Sequence, residues 1–126
     1  MRFFELELNG EAIKLRLTTE NSQLIEKKTG KGLFDLVQEV NVTNIVTLLM
    51  YLRRGDQPNF SEKDTCVLCD KLIDNEYTYE KIMMEVIFEA LVVSGFLSKE
   101  QLEETKNLKE ETKEKNKKKI LEDLQN

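Results

Sequence analysis

The chain has 126 residues with 40% hydrophobic residues, including six Phe and three Tyr, but five Gly, one Pro and no Trp. This composition predicts one domain with an apolar core and favours helices over an all-β sandwich. A net charge of −5 argues against general affinity for nucleic acid, because neutralising phosphates needs a basic surface. Apolar runs are too short for a membrane span, and the acidic N-terminus lacks the apolar region of a signal peptide, so a cytoplasmic location is expected.

The first predicted element is a β-hairpin over residues 2–17. Apolar and charged residues alternate on both sides of Asn9-Gly10, the dipeptide that best tolerates the positive φ angles of a type I′ turn. Such a two-residue turn fixes the register of the strands. The expected cross-strand pairs are Leu8 with Glu11, Leu6 with Ile13, Phe4 with Leu15, and Glu5 with Lys14. An isolated hairpin is marginal in water, so helices must cover its apolar face.

About five helices are predicted after the hairpin, from apolar residues at i, i+3, i+4 spacing between start and stop signals. In chain order they run from Thr18 or Thr19 to Gly30, from Leu33 to Val40, from Asn41–Thr43 to Gly55, from Ser61 to Asp74, and from Thr78 to Gly95. The one clear loop, 55–60, holds the only proline. The predicted fold is therefore α+β, with an N-terminal hairpin packed on a helical bundle.

The helix expected from residue 79 to 95 is apolar on nearly all sides, and the chain is predicted to be arranged around it. Its broad apolar face comprises Tyr79, Ile82, Met83, Val86, Ile87, Ala90 and Leu91. A second apolar row contains Met84, Phe88 and Val92, while Lys81, Glu85 and Glu89 form a polar row. The second row is either core or a surface for a partner or a second copy. The second hypothesis names Met84, Phe88, Val92, Phe96 and Leu97 as the contact residues.

Residues 1–98 are predicted to form the body and residues 99–126 a charged tail, helical or disordered. Ser98 and Gln101 form a capping box at its start. Eight lysines and eight acidic residues make this segment neutral, so the body carries the whole net charge. Apolar residues are sparse in the tail, so it is expected to project as a frayed helix without a core of its own.

No catalytic, cofactor-binding or metal-binding site is predicted. The chain has no His, and its glycines do not form a phosphate-binding loop. Cys66 and Cys69 form a CxxC pair inside a predicted helix, on the same face as Leu72 and Ile73, which favours a structural role in the core. The alternatives are a redox pair and a metal site shared across a dimer, which would need four thiolates to meet at its axis.

Three segments of the chain resemble the tail assembly chaperones of long-tailed bacteriophages and prophages. They are LELNGEAIKLRLTTE (6–20), KTGKGLFDLV (28–37) and the block from Ser61 to Leu97. The last block has the family's order of a helix, an acidic turn and a second helix that ends in a small residue, a glycine and an aromatic residue, here Ser94-Gly95-Phe96. The resemblance covers about 95 residues and lies in architecture and spacing.

The resemblance implies a non-enzymatic protein of the host bacterial cytoplasm that oligomerises and coats the tape measure protein. Major tail tube subunits would then polymerise around that complex, and the chaperone would be absent from the mature virion. In this family a programmed ribosomal frameshift often makes a longer form that engages the tube protein, and the codons of Lys117–Lys119 are candidates for the slippery site. The alternative function is a small oligomeric virion component, such as a head–tail connector or tail-completion protein.

Overall fold

The computed structural model describes residues 2–125, apart from the side chains at 112–114, 116–118, 120, 122, 123 and 125. Two strands are followed by six helices in this part of the chain. The strands are β1 (Phe4–Leu8) and β2 (Glu11–Leu15); the helices are α1 (Thr19–Thr29), α2 (Leu33–Gln38), α3 (Val42–Arg53), α4 (Glu62–Asp74), α5 (79–93) and α6 (Lys99–Gln125). The predicted α+β fold, a hairpin with five helices and a charged helical tail, is confirmed. None of the described helices is long and apolar enough to cross a membrane.

The hairpin has the predicted register. Asn9 and Gly10 have φ angles of 52° and 82°, as a type I′ turn requires, and all four expected cross-strand pairs are present. The outer face differs in one detail. Lys14 lies opposite Glu5, but its Nζ sits 5.7 Å from the centre of the Phe3 ring, and Glu5 is in no ion pair with the described residues.

The helix starts follow the predicted capping residues. Thr18, Asn41, Ser61 and Thr78 each accept a hydrogen bond from the third backbone N–H of the helix they precede. At α4 the Asp64 carboxylate also accepts a hydrogen bond from the Ser61 N–H, which completes a capping box that the sequence interpretation missed. This backbone hydrogen bond lowers the pKa of the Asp64 carboxyl below its usual value.

The helix α3 is also central to the fold, which was predicted to be arranged around α5. All eight residues from Ile45 to Leu52 are buried. One side of α3 packs on β2 and another on α4, while α1 and α5 contact the remaining surface. A helix that is buried on all sides is the usual sign of a domain's centre. The hairpin and the other helices are therefore arranged around α3 and α5 together.

Helix α5 is continuous but contains a π-helical segment, Ile82–Ile87. The Phe88 N–H donates to the carbonyl of Met83, five residues earlier, instead of four. A π turn takes in one more residue than an α turn, so the residues that follow it are displaced around the helix axis. The predicted apolar face is buried except for Tyr79, which is half-buried. The π segment changes the position of the second apolar row, as described below.

The first turns of α6 pack on the body, in contrast to the expectation of a tail without core contacts. Leu102 and Thr105 are 5% and 2% exposed. The Gln38 side-chain amide donates to Thr105 Oγ1 at 3.1 Å and so ties α6 to the end of α2. Further along, Leu108 and Leu124 are largely exposed. A division of the chain at residue 98 stays a prediction, but the core includes residues beyond it.

Candidate partner-binding surface

The five residues of the predicted contact surface have different environments. Phe88 has no exposed surface and Met84 is 6% exposed, so both belong to the core of a single chain. Val92, Phe96 and Leu97 are half-buried and pack against that core. The expectation of a row left partly uncovered is thus corrected for Met84 and Phe88. A partner reaches only the other three residues without opening the fold.

Met84 is covered by the tail helix, which sequence reasoning placed away from the body. Lys109 on α6 directs its Nζ to Met84 Sδ at 3.4 Å, and Lys106 lies 3.8 Å from a Glu89 carboxylate oxygen on α5. An open groove of about 350 Å³ remains between the two helices, with Met84 at its base and charged residues of both signs along its rim. The helix α6 therefore occupies the position that the contact hypothesis assigned to a partner.

The turn at the end of α5 packs Phe96 against the core. Gly95 has a φ of 87° and ends the helix. Glycine adopts this left-handed conformation without steric strain because it has no Cβ. The Phe96 N–H then donates to the Leu91 carbonyl at 3.0 Å. Ser94 Oγ accepts a hydrogen bond from the Leu17 N–H at 3.0 Å, so this turn is joined directly to the chain just after β2. Phe96 is held in place on the body rather than on a loose loop.

The two cysteines are separated by burial. Both cysteines lie on α4, but Cys69 is buried whereas Cys66 is exposed. The core interpretation is confirmed for Cys69 and wrong for Cys66, and Ile73 from the same predicted face is also 38% exposed. Burial, followed by the nearby Cys66 and Asp70, raises the pKa of the Cys69 thiol to about 11. No cluster of potential metal ligands occurs among the described residues.

This difference predicts selective thiol labelling. At pH 8 a thiol with a pKa of about 11 is ionised in roughly one molecule in a thousand, so Cys69 should react with a maleimide at least about 100-fold more slowly than Cys66. Mass spectrometry should find one label per native chain and two labels after denaturation. The Cys66→Ala variant is the matched control and should take up almost no label while folded. Equal labelling of both cysteines would contradict the burial of Cys69.

Exposed apolar residues outside the predicted surface were missed because they lie on faces that the spacing assigned to the core or to solvent. Leu24, Phe34, Val42 and Val67 are each 38–52% exposed. Val67 lines a cleft of about 400 Å³ between α4 and the tip of the hairpin.

Comparisons of the chain with family models, curated proteins and solved structures find no match. What the protein does is therefore inferred from its residues and their geometry.

Proposed function

We propose that this protein is a non-enzymatic tail assembly chaperone of a long-tailed phage or prophage. It acts in the cytoplasm of the bacterial host, oligomerises and holds the tape measure protein while major tail tube subunits polymerise around it. It leaves before the virion is complete. The proposal rests on the resemblance described above and on how the segments that carry it meet in the fold.

The observation that carries the proposal is the junction of those segments. The three segments lie far apart in the sequence but belong to one body around α3. They are the hairpin, residues 28–37 and residues 61–97. The hydrogen bond from the Leu17 N–H to Ser94 Oγ, across 77 residues, joins the first segment to the last. The three-residue step Ser94-Gly95-Phe96 thus has a structural part in the fold: Ser94 binds the hairpin, Gly95 turns the chain, and Phe96 packs against the core.

The surface supports reversible contacts with a long partner. Its exposed apolar side chains are distributed over α1, α2, α3, α4 and α6, so each contributes a small apolar contact. The second half of α6 adds Leu121 and Leu124, which are 58% and 77% exposed, on a strongly charged helix. Many weak contacts of this kind hold an aggregation-prone protein and still release it during assembly.

The test is co-expression with the tape measure protein encoded by the same phage or prophage. We expect the tape measure protein to be insoluble alone, and soluble and co-purified in the presence of this chain. Val92→Lys with Leu97→Lys should reduce that co-purification severalfold, because both side chains are reachable at the end of α5. The matched control is Gln23→Lys with Thr43→Lys, which adds the same charge at exposed polar residues of α1 and α3. Circular dichroism establishes that both variants are folded.

Purified virions separate the proposal from the alternative function. A chaperone is absent from the finished particle, whereas a connector or tail-completion protein is present at a fixed number of copies. Detection of the chain in stoichiometric amounts in virions would overturn the proposal. Insoluble tape measure protein in the presence of the folded chain would do the same.

The frameshift expectation is tested by the gene and not by the fold. It falls on Lys117–Lys119, and the side chains of Lys117 and Lys118 lie outside the described residues. A slippery heptamer in these codons, followed by an overlapping frame, would support a longer form that recruits the tube protein. Without either feature, the longer form is removed from the proposal.

A further inference from the structure

The outer edge of β1 has backbone groups with no partner. A two-residue turn makes Leu8 and Glu11 a hydrogen-bonded pair, and bonded and non-bonded pairs then alternate along the hairpin. The N–H and C=O groups of Glu5 and Glu7 therefore point away from β2. Neither residue makes a hydrogen bond on that side with any described residue. This edge presents two donors and two acceptors to a further strand.

The outer edge of β2 is different, because the end of α3 occupies part of it. The Lys14 carbonyl accepts a hydrogen bond from Arg53 Nη1 at 3.1 Å. The Arg16 N–H donates to the Leu52 carbonyl at 2.9 Å. These bonds also confirm the alternation, since they leave from the positions expected to point outward. A third strand therefore has one open edge to join, that of β1.

The apolar face of the hairpin is also incompletely covered on the β1 side. Ile13 and Leu15 on β2 are 7% and 0% exposed. Phe4 and Leu6, their direct partners on β1, are only half-buried. Leu8, at the turn end of β1, is 5% exposed, and the end of α5 contacts β1. The helical body thus covers β1 in part and leaves apolar surface of Phe4 and Leu6 open. A strand added at this edge would bury the remaining apolar surface of Phe4 and Leu6 as well as the backbone groups.

Charge disfavours a second copy of β1 as that strand. Keeping Phe4 and Leu6 on the covered face of both copies places at least one glutamate opposite a glutamate of the second copy in every register in which the two Glu5–Glu7 segments overlap. Like charges directly opposite each other destabilise strand pairing, and such charges protect natural sheet edges from self-association. Glu5 and Glu7 form no ion pair with the described residues. Both carboxylates are available to basic side chains of another protein.

We propose that the outer edge of β1 binds an extended segment of another protein as a third strand, and that Lys or Arg alternates with apolar residues in this segment. The basic side chains would face Glu5 and Glu7, and the apolar side chains would pack beside Phe4 and Leu6. Backbone hydrogen bonds supply affinity in strand addition, and alternate side chains supply specificity. The edge belongs to the hairpin, and strand addition there does not require the proposed chaperone function. The two proposals can therefore be tested separately.

The first test is a nuclear magnetic resonance titration of the full chain with an end-capped eight-residue peptide of alternating Lys and Val. The amide signals of Glu5 and Glu7 should shift, and their hydrogen exchange at saturation should slow at least tenfold, while the Ala12 amide on the β2 edge stays unchanged. A peptide N-methylated on alternate residues has the same charge but lacks the required donors. The methylated peptide should bind at least about tenfold more weakly than the Lys–Val peptide. Equal binding of the two peptides would show charge attraction alone and overturn the proposal.

The second test reverses the charge of the edge. The variant with Glu5→Lys and Glu7→Lys should bind the Lys–Val peptide at least tenfold more weakly and should bind a Glu–Val peptide instead. The control variant, with Glu103→Lys and Glu104→Lys on α6, has the same net charge and should keep the wild-type preference. An unchanged preference in the edge variant would overturn the proposal. Exchange protection of Glu5 and Glu7 that rises with protein concentration alone would assign the edge to a second copy and would also overturn it.

Discussion

Phe88→Ala should lower the free energy of unfolding by about 3–5 kcal/mol, the usual loss when a large buried aromatic side chain is truncated in a close-packed core. Phe88 has no exposed surface within a single chain. The substitution removes its packing and leaves a cavity between helices that cannot close fully around it. Since domains of this size are stable by about 5–15 kcal/mol, much of the native stability is at stake. Urea unfolding followed by far-ultraviolet circular dichroism measures the change.

The matched control is Phe34→Ala on α2. Phe34 is 38% exposed, so the same truncation there should cost about 1 kcal/mol or less. Repeating both measurements over a range of protein concentrations separates core packing from self-association, because an interface residue makes stability depend on concentration. A loss below about 1 kcal/mol for Phe88→Ala, or a loss seen only at high concentration, would return Phe88 to the contact surface.

Gly55→Ala should destabilise the protein by about 3 kcal/mol through overpacking against backbone that has little freedom to move. Gly55 follows α3, and a Cβ added there would overlap the Arg16 carbonyl oxygen and lie 2.9 Å from its carbonyl carbon. Hydrogen bonds hold the chain on both sides of that carbonyl, from the Arg16 N–H to Leu52 and from the Leu17 N–H to Ser94. Relief of the overlap requires the hairpin to move away from α3.

Gly32→Ala tests whether the effect of Gly55→Ala comes from this contact or from the loss of any glycine. Gly32 has a φ of −75° and would carry a Cβ with no atom within 4 Å. Its substitution should change the free energy of unfolding by about 0.5 kcal/mol or less, since any cost at the helix cap is offset by a less flexible unfolded chain. Similar losses for both variants in urea unfolding would contradict the proximity of Gly55 to Arg16.

The hairpin and the helix starts are readable from the sequence because their determinants are local. Asn9-Gly10 allows one turn type, and that turn sets every cross-strand pair. Ser61 and Thr78 cap their helices through hydrogen bonds to residues only three positions away. Such interactions need no knowledge of the rest of the fold, so the sequence alone predicts them.

The features that sequence reasoning missed depend on contacts between distant segments. Gly55 reads as an ordinary helix terminator until the carbonyl of Arg16 is found beside it. Regular α-helical spacing places Met84 and Phe88 on an outer row, but the π segment and the packing of α6 place them in the core. Leu102 is one apolar residue in a charged stretch, and nothing local indicates that it is buried.

The candidate surface shows the same division between local and distant information. The sequence correctly identifies Phe96 as part of a stop signal, because Gly95 beside it has the left-handed conformation that such a signal needs. The exposure of Val92 and Leu97 depends on how far the hairpin and α6 extend over the end of α5. The open edge of β1 likewise depends on where the helical body ends. Alternation alone does not say which strand of a hairpin is left uncovered.

The bond between Leu17 and Ser94 has a consequence for the newly made chain. The hairpin is synthesised before the residues that hold its end, Leu52 and Ser94, which follow much later. At about 5–20 residues per second, the 77 positions from Leu17 to Ser94 take roughly 4–15 s to translate. Since a lone hairpin is marginal in water, the hairpin stays largely unfolded until α5 has been made. The hairpin is therefore translated before α5 but becomes stable only together with it.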